Sequence, residues 1–539
     1  MLPRPVVEDK GLRNSGCRGH DTCGPVPIRL IYANMLKIPS KENYHQFPGN
    51  LGALLDYSKE LHPDRNGIGT PDQMFTFAEY HDRVCRLVHG LRKIGIERND
   101  RVIVSSFDPL GYASISLAIF RIGAVVVPLN PRMGRYEFAH IISETRPKCV
   151  ICNRDNISTA LKAYTLSQCP ISPHLITIDE KAPSIPFIED LDLSNASSHW
   201  EKMTPDETAM IVYTAAMDGY PLGAKLTHGS LFYDTVAFAG KSFGRNDTHP
   251  EILFSLLPLF HTYGFTNGFL VPLAGSVTCL LLGTSIRGRT VVGLMENYRP
   301  TQIISVPAIF HTLIKPLSER PEFCSRVRNL TSGGIKISKR LLDIYKRKLG
   351  LVISEGYGLT EASPVVTWNG LDRPPKFGTV GPPLSCCQVK IVDDSGKELP
   401  PGQEGEVLVR GLNIFSGYLD KPEHTQDAFT DGWLKTGDLG SLDEENYLTL
   451  TGLKKDMINV FGLKVYPKEV ERLLMYHPNI ESAHIWEEWH RKYGEIVVGE
   501  IFLRQGSVMN ERGFFNWCRQ NISPYKIPRK IRMIQAPQY

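Results

Sequence analysis

From Phe47 to about Gly370 the chain alternates short apolar runs with amphipathic stretches. Arg101-Val-Ile-Val-Ser, Cys149-Val-Ile-Cys, Leu175-Ile-Thr-Ile, Met210-Ile-Val-Tyr and Gln302-Ile-Ile-Ser-Val are short and nearly continuous in apolar character. That texture predicts strands buried on both faces rather than strands with one wet side. Tyr112 to Ile122 reads as a helix, and Gly123-Ala-Val-Val-Val-Pro as the strand that follows it. Strands separated by helices in this way predict an α/β fold of parallel or mixed sheets covered on both faces.

After Pro374-Pro375 the pattern changes. Gln388-Val-Lys-Ile-Val-Asp, Gly405-Glu-Val-Leu-Val-Arg and Tyr447-Leu-Thr-Leu are short strands punctuated by Asp394-Ser395-Gly396 and Pro400-Pro401-Gly402 turns. They predict a small antiparallel β-barrel subdomain over about 376–450. A last unit, 456–539, holds a helix from Pro467 to Tyr476, then strands and another helix, and reads as a small α+β C-terminal domain. The expected organisation is a lead-in over 1–45, rich in Gly, Pro and Arg and loosely ordered, a large domain over 46–455, and this small domain. No internal repeat or low-complexity tract is visible.

Composition narrows the function classes. A chain of 539 residues exceeds the size at which one core stops growing, so more than one domain is expected. A formal net charge of +4 is too weak to argue for nucleic acid or an acidic membrane surface. The eleven cysteines are scattered and read as reduced, buried thiols. Cys17, His20 and Cys23 have ligand-like spacing, but no second cluster follows, so no metal is expected there. The most apolar region, Ile252 to Gly283, is broken by Pro258, His261, Asn267 and Pro272, which argues against a transmembrane segment. With no signal peptide evident, a cytoplasmic location is the expectation.

The candidate chemistry lies in several ordered segments. Tyr213-Thr214-Ala215-Ala216-Met217-Asp218-Gly219-Tyr220-Pro221-Leu222-Gly223 runs on to Thr227-His228. Ser354-Glu355-Gly356-Tyr357-Gly358-Leu359-Thr360-Glu361 follows, then Asp431-Gly432-Trp433 with Thr436-Gly437-Asp438, and Gly452-Leu453-Lys454-Lys455-Asp456 through Gly462 to Pro467. Leu256-Leu257-Pro258-Leu259-Phe260-His261 and Ser332-Gly333-Gly334 complete the set. Read singly, Gly-x-Gly is a tight turn, Thr-Gly-Asp an aspartate in a turn, and His261 a structural histidine beside an apolar run. Taken together and in order, from about residue 50 to the C-terminus, they resemble the adenylate-forming (AMP-binding) superfamily and, within it, the medium- and long-chain fatty acyl-CoA synthetases.

The resemblance implies roles and small-molecule partners: ATP, Mg²⁺, CoA and a carboxylic acid. Thr214, Gly219 and Gly223 would frame the phosphate loop. Glu355, Gly356 and Tyr357 would line the adenine site, with Tyr357 stacking on the base. Thr360 would bond the α-phosphate, Glu361 would hold Mg²⁺, and Asp438 would grip the ribose hydroxyls, an arrangement suited to a carboxylate acceptor. His261 would line the acyl pocket, Gly333 and Gly334 the acyl and adenine sites, Lys455 the hinge between domains, and Gly462 the pantetheine channel. The oligomeric state stays open.

The chain departs from the family at groups that handle phosphate charge. Where the family writes Tyr-Thr-Ser-Gly-Thr-Thr-Gly-x-Pro-Lys-Gly, this chain has Ala-Ala-Met-Asp in the polar centre and Leu222 for the lysine. Leu453 replaces an arginine, and the final Pro-Lys-Thr-x-x-Gly-Lys motif is expected just beyond Tyr539, which makes the small domain read as truncated. A hydrogen bond to a charged group contributes about 1.5–3 kcal/mol, so losing several weakens ATP binding by roughly two to four decades. The sequence thus predicts an acyl-CoA synthetase of impaired activity. Two alternatives stay open: a catalytically weak homologue that binds acyl-AMP or acyl-CoA as sensor or scaffold, and a ligase that loads an acyl carrier protein.

Overall fold

In the computed structural model, the described residues are 47–535 apart from 215–218, 244–249, 284–285, 372, 374, 454–456, 461–462 and 491–493. A six-stranded sheet runs in the order His174–Thr177, Cys149–Cys152, Arg101–Ser105, Val125–Pro128, Thr208–Thr214, Leu222–Thr227. All neighbours are parallel except the last pair, which turns back as an antiparallel hairpin. The apolar runs at Arg101, Gly123, Cys149, Leu175 and Met210 supply strands of this sheet, and the run at Gln302 a strand of the next. Arg101–Ser105 and Cys149–Cys152 are almost wholly buried, as central parallel strands must be.

The helix expected over Tyr112 to Ile122 spans Pro109–Ile122. Asp108 caps it by accepting the Leu110 N–H, proline occupies its first turn, and Gly123 ends it at φ 76. It is buried all round between the strands Arg101–Ser105 and Val125–Pro128 and the helix Phe77–Lys93, and its one charged residue, Arg121, is paired with Asp56 at 2.8 Å.

An eight-stranded sheet is ordered Val365–Trp368, Ile353–Gly358, Asn329–Ser332, Gln302–Ser305, Ile252–Ser255, Thr278–Leu281, Asn66–Gly69, Met74–Thr76. Its six inner strands are parallel and its two edges antiparallel. Between Cys387 and Leu453 the expected barrel region is a five-stranded antiparallel sheet. The last unit pairs Ile480–His490, Gly494–Leu503 and Lys530–Gln535 in one sheet, packed with the helices Pro467–Leu474 and Glu511–Asn521 around their own core. The nine cysteines among the described residues are buried and free. Among those residues no helix is long and apolar enough to cross a membrane.

The small domain is joined to the large one by buried charge. Lys526 Nζ lies 2.6 Å from Glu137 of the helix Arg135–Thr145 and 2.6 Å from Glu469 of the helix Pro467–Leu474. Ser523 adds its backbone N–H and its hydroxyl to Glu137, at 2.9 and 2.7 Å. Tyr136 stacks on Tyr476 with ring centroids 4.3 Å apart.

Candidate active site

One wall is built by Ile353–Gly358, the 3₁₀ turn Thr360–Ala362 and Val365–Trp368. Its glycines permit close backbone approach: a Cβ on Gly358 would stand 1.9 Å from the Pro364 carbonyl oxygen, and one on Gly356 3.2 Å from that of Thr367. Glu355 turns one oxygen to the Ile337 backbone N–H at 3.0 Å, and burial pushes its pKa up.

Tyr357 donates its hydroxyl to Asp438 Oδ2 at 2.5 Å, across 81 residues of sequence. Asp438 is buried on the strand Trp433–Leu442, just after Gly437 adopts φ 76, and its N–H donates to Thr436 Oγ1 at 3.1 Å. Burial, then the neighbouring Asp438 charge, pushes the Tyr357 pKa well up, so the phenol stays a donor. An aromatic face and a carboxylate are thereby held side by side. Leu453, directly across the strand pair from Asp438, is 42% exposed.

Glu361 stands at the other end of this wall. Its Oε1 accepts from the Tyr418 hydroxyl at 2.9 Å and from Thr214 Oγ1 at 3.4 Å, while its backbone carbonyl accepts the Phe415 N–H at 2.8 Å. Tyr418 reaches it because its backbone bridges to Ala224, beyond the loop. Thr360, half-buried, opens the 3₁₀ turn one residue earlier. The end of one strand, the start of the next and the carboxylate therefore converge on one place. Tyr466 of the small domain faces the same region: burial, with the Glu361 and Asp438 charges, raises its pKa to about 12. Neither Tyr418 nor Tyr466 was expected from sequence, since no local motif surrounds either.

Of the loop itself, residues 215–218 lie outside the described residues, as do Lys455, Gly462 and the segment with Cys17, His20 and Cys23. The flanks are clear. Thr214 pairs with Leu222, which is buried, and Gly223 packs so closely that a Cβ there would sit 2.9 Å from Ile211. Gly219 has φ 86 and turns its carbonyl to Arg472 Nε at 2.8 Å. The Arg472 guanidinium lies over the Tyr220 ring at 4.1 Å. Gly219 and Tyr220 are thus held by Arg472 of the small domain's helix Pro467–Leu474.

Tyr263, two residues after His261, packs on the Gly333–Gly334 turn. A Cβ on Gly333 would stand 3.0 Å from the Tyr263 ring, and Gly334 has φ 85. Burial lowers the His261 pKa to about 4, so its imidazole is uncharged at neutral pH. Its ring packs on Phe260 at 4.9 Å, which in turn meets Phe107 at 6.1 Å.

The donor set fits a hard cation shared with phosphate. A lone half-buried carboxylate with hydroxyl neighbours matches how Mg²⁺ is held, by one or two carboxylates plus substrate oxygens. Among the described residues no group of three or more His, Cys, Asp or Glu could hold a metal by itself.

A family model for the AMP-binding enzymes matches residues 55–419, and one for their C-terminal domain matches residues 469–538. The chain belongs to the AMP-binding enzyme family. It is 30% identical over 476 residues to a feruloyl-CoA synthase of Amycolatopsis, covering 87% of this chain and 92% of that one. It is 27% identical over 525 residues to a long-chain-fatty-acid–CoA ligase of Escherichia coli O6:H1, covering 92% of each. Among solved structures, o-succinylbenzoate CoA synthetase of Bacillus subtilis superposes with a TM-score of 0.77 at 25% identity, covering 89% of this chain and 94% of that one. CoA ligases of this family use ATP, Mg²⁺ and CoA.

Proposed function

We propose that this member of the AMP-binding enzyme family is an acid–thiol ligase that activates a carboxylic acid as acyl-AMP and transfers the acyl group to CoA. The observation that carries this reading is the convergence of Glu361, Thr214 and Tyr418 beside the Tyr357–Asp438 pair. An acid carboxylate attacks the α-phosphorus, the bond to the bridging oxygen breaks, and pyrophosphate leaves. The CoA sulfur then attacks the acyl carbonyl carbon, the bond to AMP breaks, and the thiol proton passes to solvent.

In this assignment Tyr357 takes the adenine face and Asp438 the ribose hydroxyls. Glu355 and Gly356 back the adenine, Thr360 bonds the α-phosphate, and Thr214, Gly219 and Gly223 frame the triphosphate. Glu361 would hold Mg²⁺, which when bound supplies charge neutralisation at the phosphates. His261, Gly333 and Gly334 line the acyl side, where an uncharged imidazole costs little beside an apolar chain. Lys455 as hinge and Gly462 beside the pantetheine channel complete the reading. For the acid we propose a medium- or long-chain fatty acid, because Tyr357 to Val366 resembles that branch, with an aryl acid as the competing class.

Incubation with Mg-ATP, CoA and a panel of acids, followed by mass spectrometry, tests the reading. Equal amounts of acyl-CoA, AMP and pyrophosphate are expected. A second reading, a weak homologue serving as an acyl-AMP or acyl-CoA sensor, draws on Leu222 and Leu453, which put apolar groups where the family carries cations. Tight acyl-CoA binding with no pyrophosphate from any acid would select it.

A further inference from the structure

The segment after His261 is a continuous helical run, with a π-helical turn, Thr266–Leu270, between the turns Thr262–Phe265 and Val271–Ala274. Such insertions concentrate at functional sites. Most sides of this run have evident partners. Phe265 and Phe269 pack together, and Phe265 meets Tyr112 and Phe120. Thr266 donates to the Ser363 carbonyl at 3.1 Å. Gly264 presses on the turn at Pro258 and Gly268 on the end of the strand Ile252–Ser255, a Cβ there standing 2.1 Å from the Pro258 oxygen and 2.3 Å from Ser255 Oγ.

Asn267 is different. It is 0% exposed, yet neither its amide nitrogen nor its amide oxygen has a hydrogen-bond partner among the described residues. It lies one turn after Tyr263, the residue packed on Gly333 and hydrogen-bonded to the Ser305 carbonyl at 3.5 Å. Ser255 Oγ, against Gly268 in the next position, is buried and has no partner among the described residues either. Buried polar groups without partners are rare in native proteins, and a donor and an acceptor on one side chain both left open is costlier still. An aliphatic residue of similar volume would serve better if this position only filled space.

We infer that Asn267 determines acid specificity: its amide reads a hydrogen-bonding oxygen, hydroxyl or carbonyl, in the body of the acid, so that within the fatty or aryl class proposed above the oxygen-bearing member is selected over its plain counterpart. The inference rests on the ligase reading, which puts the acid along the wall of His261, Tyr263 and Gly333. A site built to hydrogen-bond a substrate oxygen rejects the analogue that lacks it, because its own groups stay unpaired. The oxygen can sit on an aryl ring or on an aliphatic chain.

The test uses unreactive acyl-sulfamoyl adenosines in two pairs, one aryl and one aliphatic, each pair differing by a single oxygen. AMP binding is measured alongside. In one pair or both, the oxygenated member should bind the unaltered protein about 10- to 100-fold more tightly, the range of one buried hydrogen bond. Asn267→Leu should remove that ratio by weakening the oxygenated member, without lowering the melting temperature of the ligand-free protein. Asn267→Ala provides the same comparison if the leucine variant does not fold. Equal binding within both pairs, or a ratio unchanged by substitution, overturns the inference and leaves the ligase reading standing. Failure of AMP and every mimic to bind removes both.

Discussion

Two carboxylate groupings lie near the boundary between the large and small domains, and they have opposite character. Glu137 and Glu469 enclose Lys526, with no side chain of the three more than 4% exposed. Glu361 is half-buried, and its partners among the described residues are hydroxyls, Tyr418 and Thr214. The first grouping shares one buried cation and is sealed, so it can hold domains together and do little else. The second, among the described residues, keeps oxygen lone pairs uncommitted beside the Tyr357–Asp438 pair, which is what a hard cation requires. Burial and counter-charge, rather than residue type, separate an architectural carboxylate from an available one.

The largest expected effect breaks the sealed grouping. Lys526→Met leaves two carboxylates buried without their cation, and breaking a buried pair in this way costs about 3–5 kcal/mol. Chemical denaturation should show the small domain unfolding or undocking first, with new proteolysis near the Arg135–Thr145 helix. A variant as stable as the original would mean that water already solvates Glu137.

Next comes the open grouping. Glu361→Ala should lower Mg-dependent pyrophosphate release on the order of 10²–10³-fold, the scale of removing one charge-stabilising group, while the melting temperature stays put. Unchanged turnover would mean that the nucleotide site has been misplaced. The pair of outcomes sharpens the comparison: loss of stability without direct chemistry at Lys526, loss of chemistry without stability at Glu361.

The sheets of the large domain were readable because buried parallel strands such as Arg101–Ser105 and Gln302–Ser305 leave short apolar runs. The Pro109–Ile122 helix was readable because Asp108 and Gly123 mark its ends. The strand-and-helix content of the small domain was legible on the same grounds. Tyr357, Glu361 and Asp438 stood out through ordered motifs, and the fold gathers them. The Lys526–Glu137 contact was not legible, since 389 residues separate its partners and a lone lysine near Pro524 carries no local signal. Tyr418 is in the same position: only the strand bridge to Ala224 aims its hydroxyl at Glu361. Nor does sequence reveal that Asn267 lacks partners among the described residues, because that depends on the packing of neighbouring elements.

A third effect, of intermediate size, concerns the charge missing beside the open grouping. Leu222 is buried opposite Thr214, and a lysine there can lay its stem along the same surface and carry its ammonium into the cleft. Leu222→Lys should tighten ATP by roughly 10- to 100-fold, one charge-assisted hydrogen bond, as read by calorimetry. Combining it with Ala216→Gly, Met217→Thr and Asp218→Thr should add to the gain. An unchanged ATP dissociation constant in the combined variant would show that the loop no longer meets the triphosphate.

The smallest effect divides the sealed grouping within itself. Both glutamates lie 2.6 Å from Lys526, yet they are not equivalent. Burial alone would raise Glu137, but the Lys526 charge and the Lys526 and Ser523 hydrogen bonds carry its pKa below the ordinary 4.5. Burial raises Glu469 above 4.5, Lys526 only partly offsets this, and Glu469 Oε2 has no partner among the described residues. Glu137 therefore stabilises the fold above about pH 4.5 and loses that contribution as pH falls through its lowered pKa. Glu469 contributes below 4.5, and its contribution fades as pH rises through its raised pKa. Relative to the unaltered protein, Glu469→Gln should gain in melting temperature as pH is raised from 5 to 8. Glu137→Gln should lose across the acid range where its carboxylate first ionises. Equal shifts of one sign in both variants would mean that Lys526 is shared evenly, and that the orphaned oxygen of Glu469 is solvated in the folded protein.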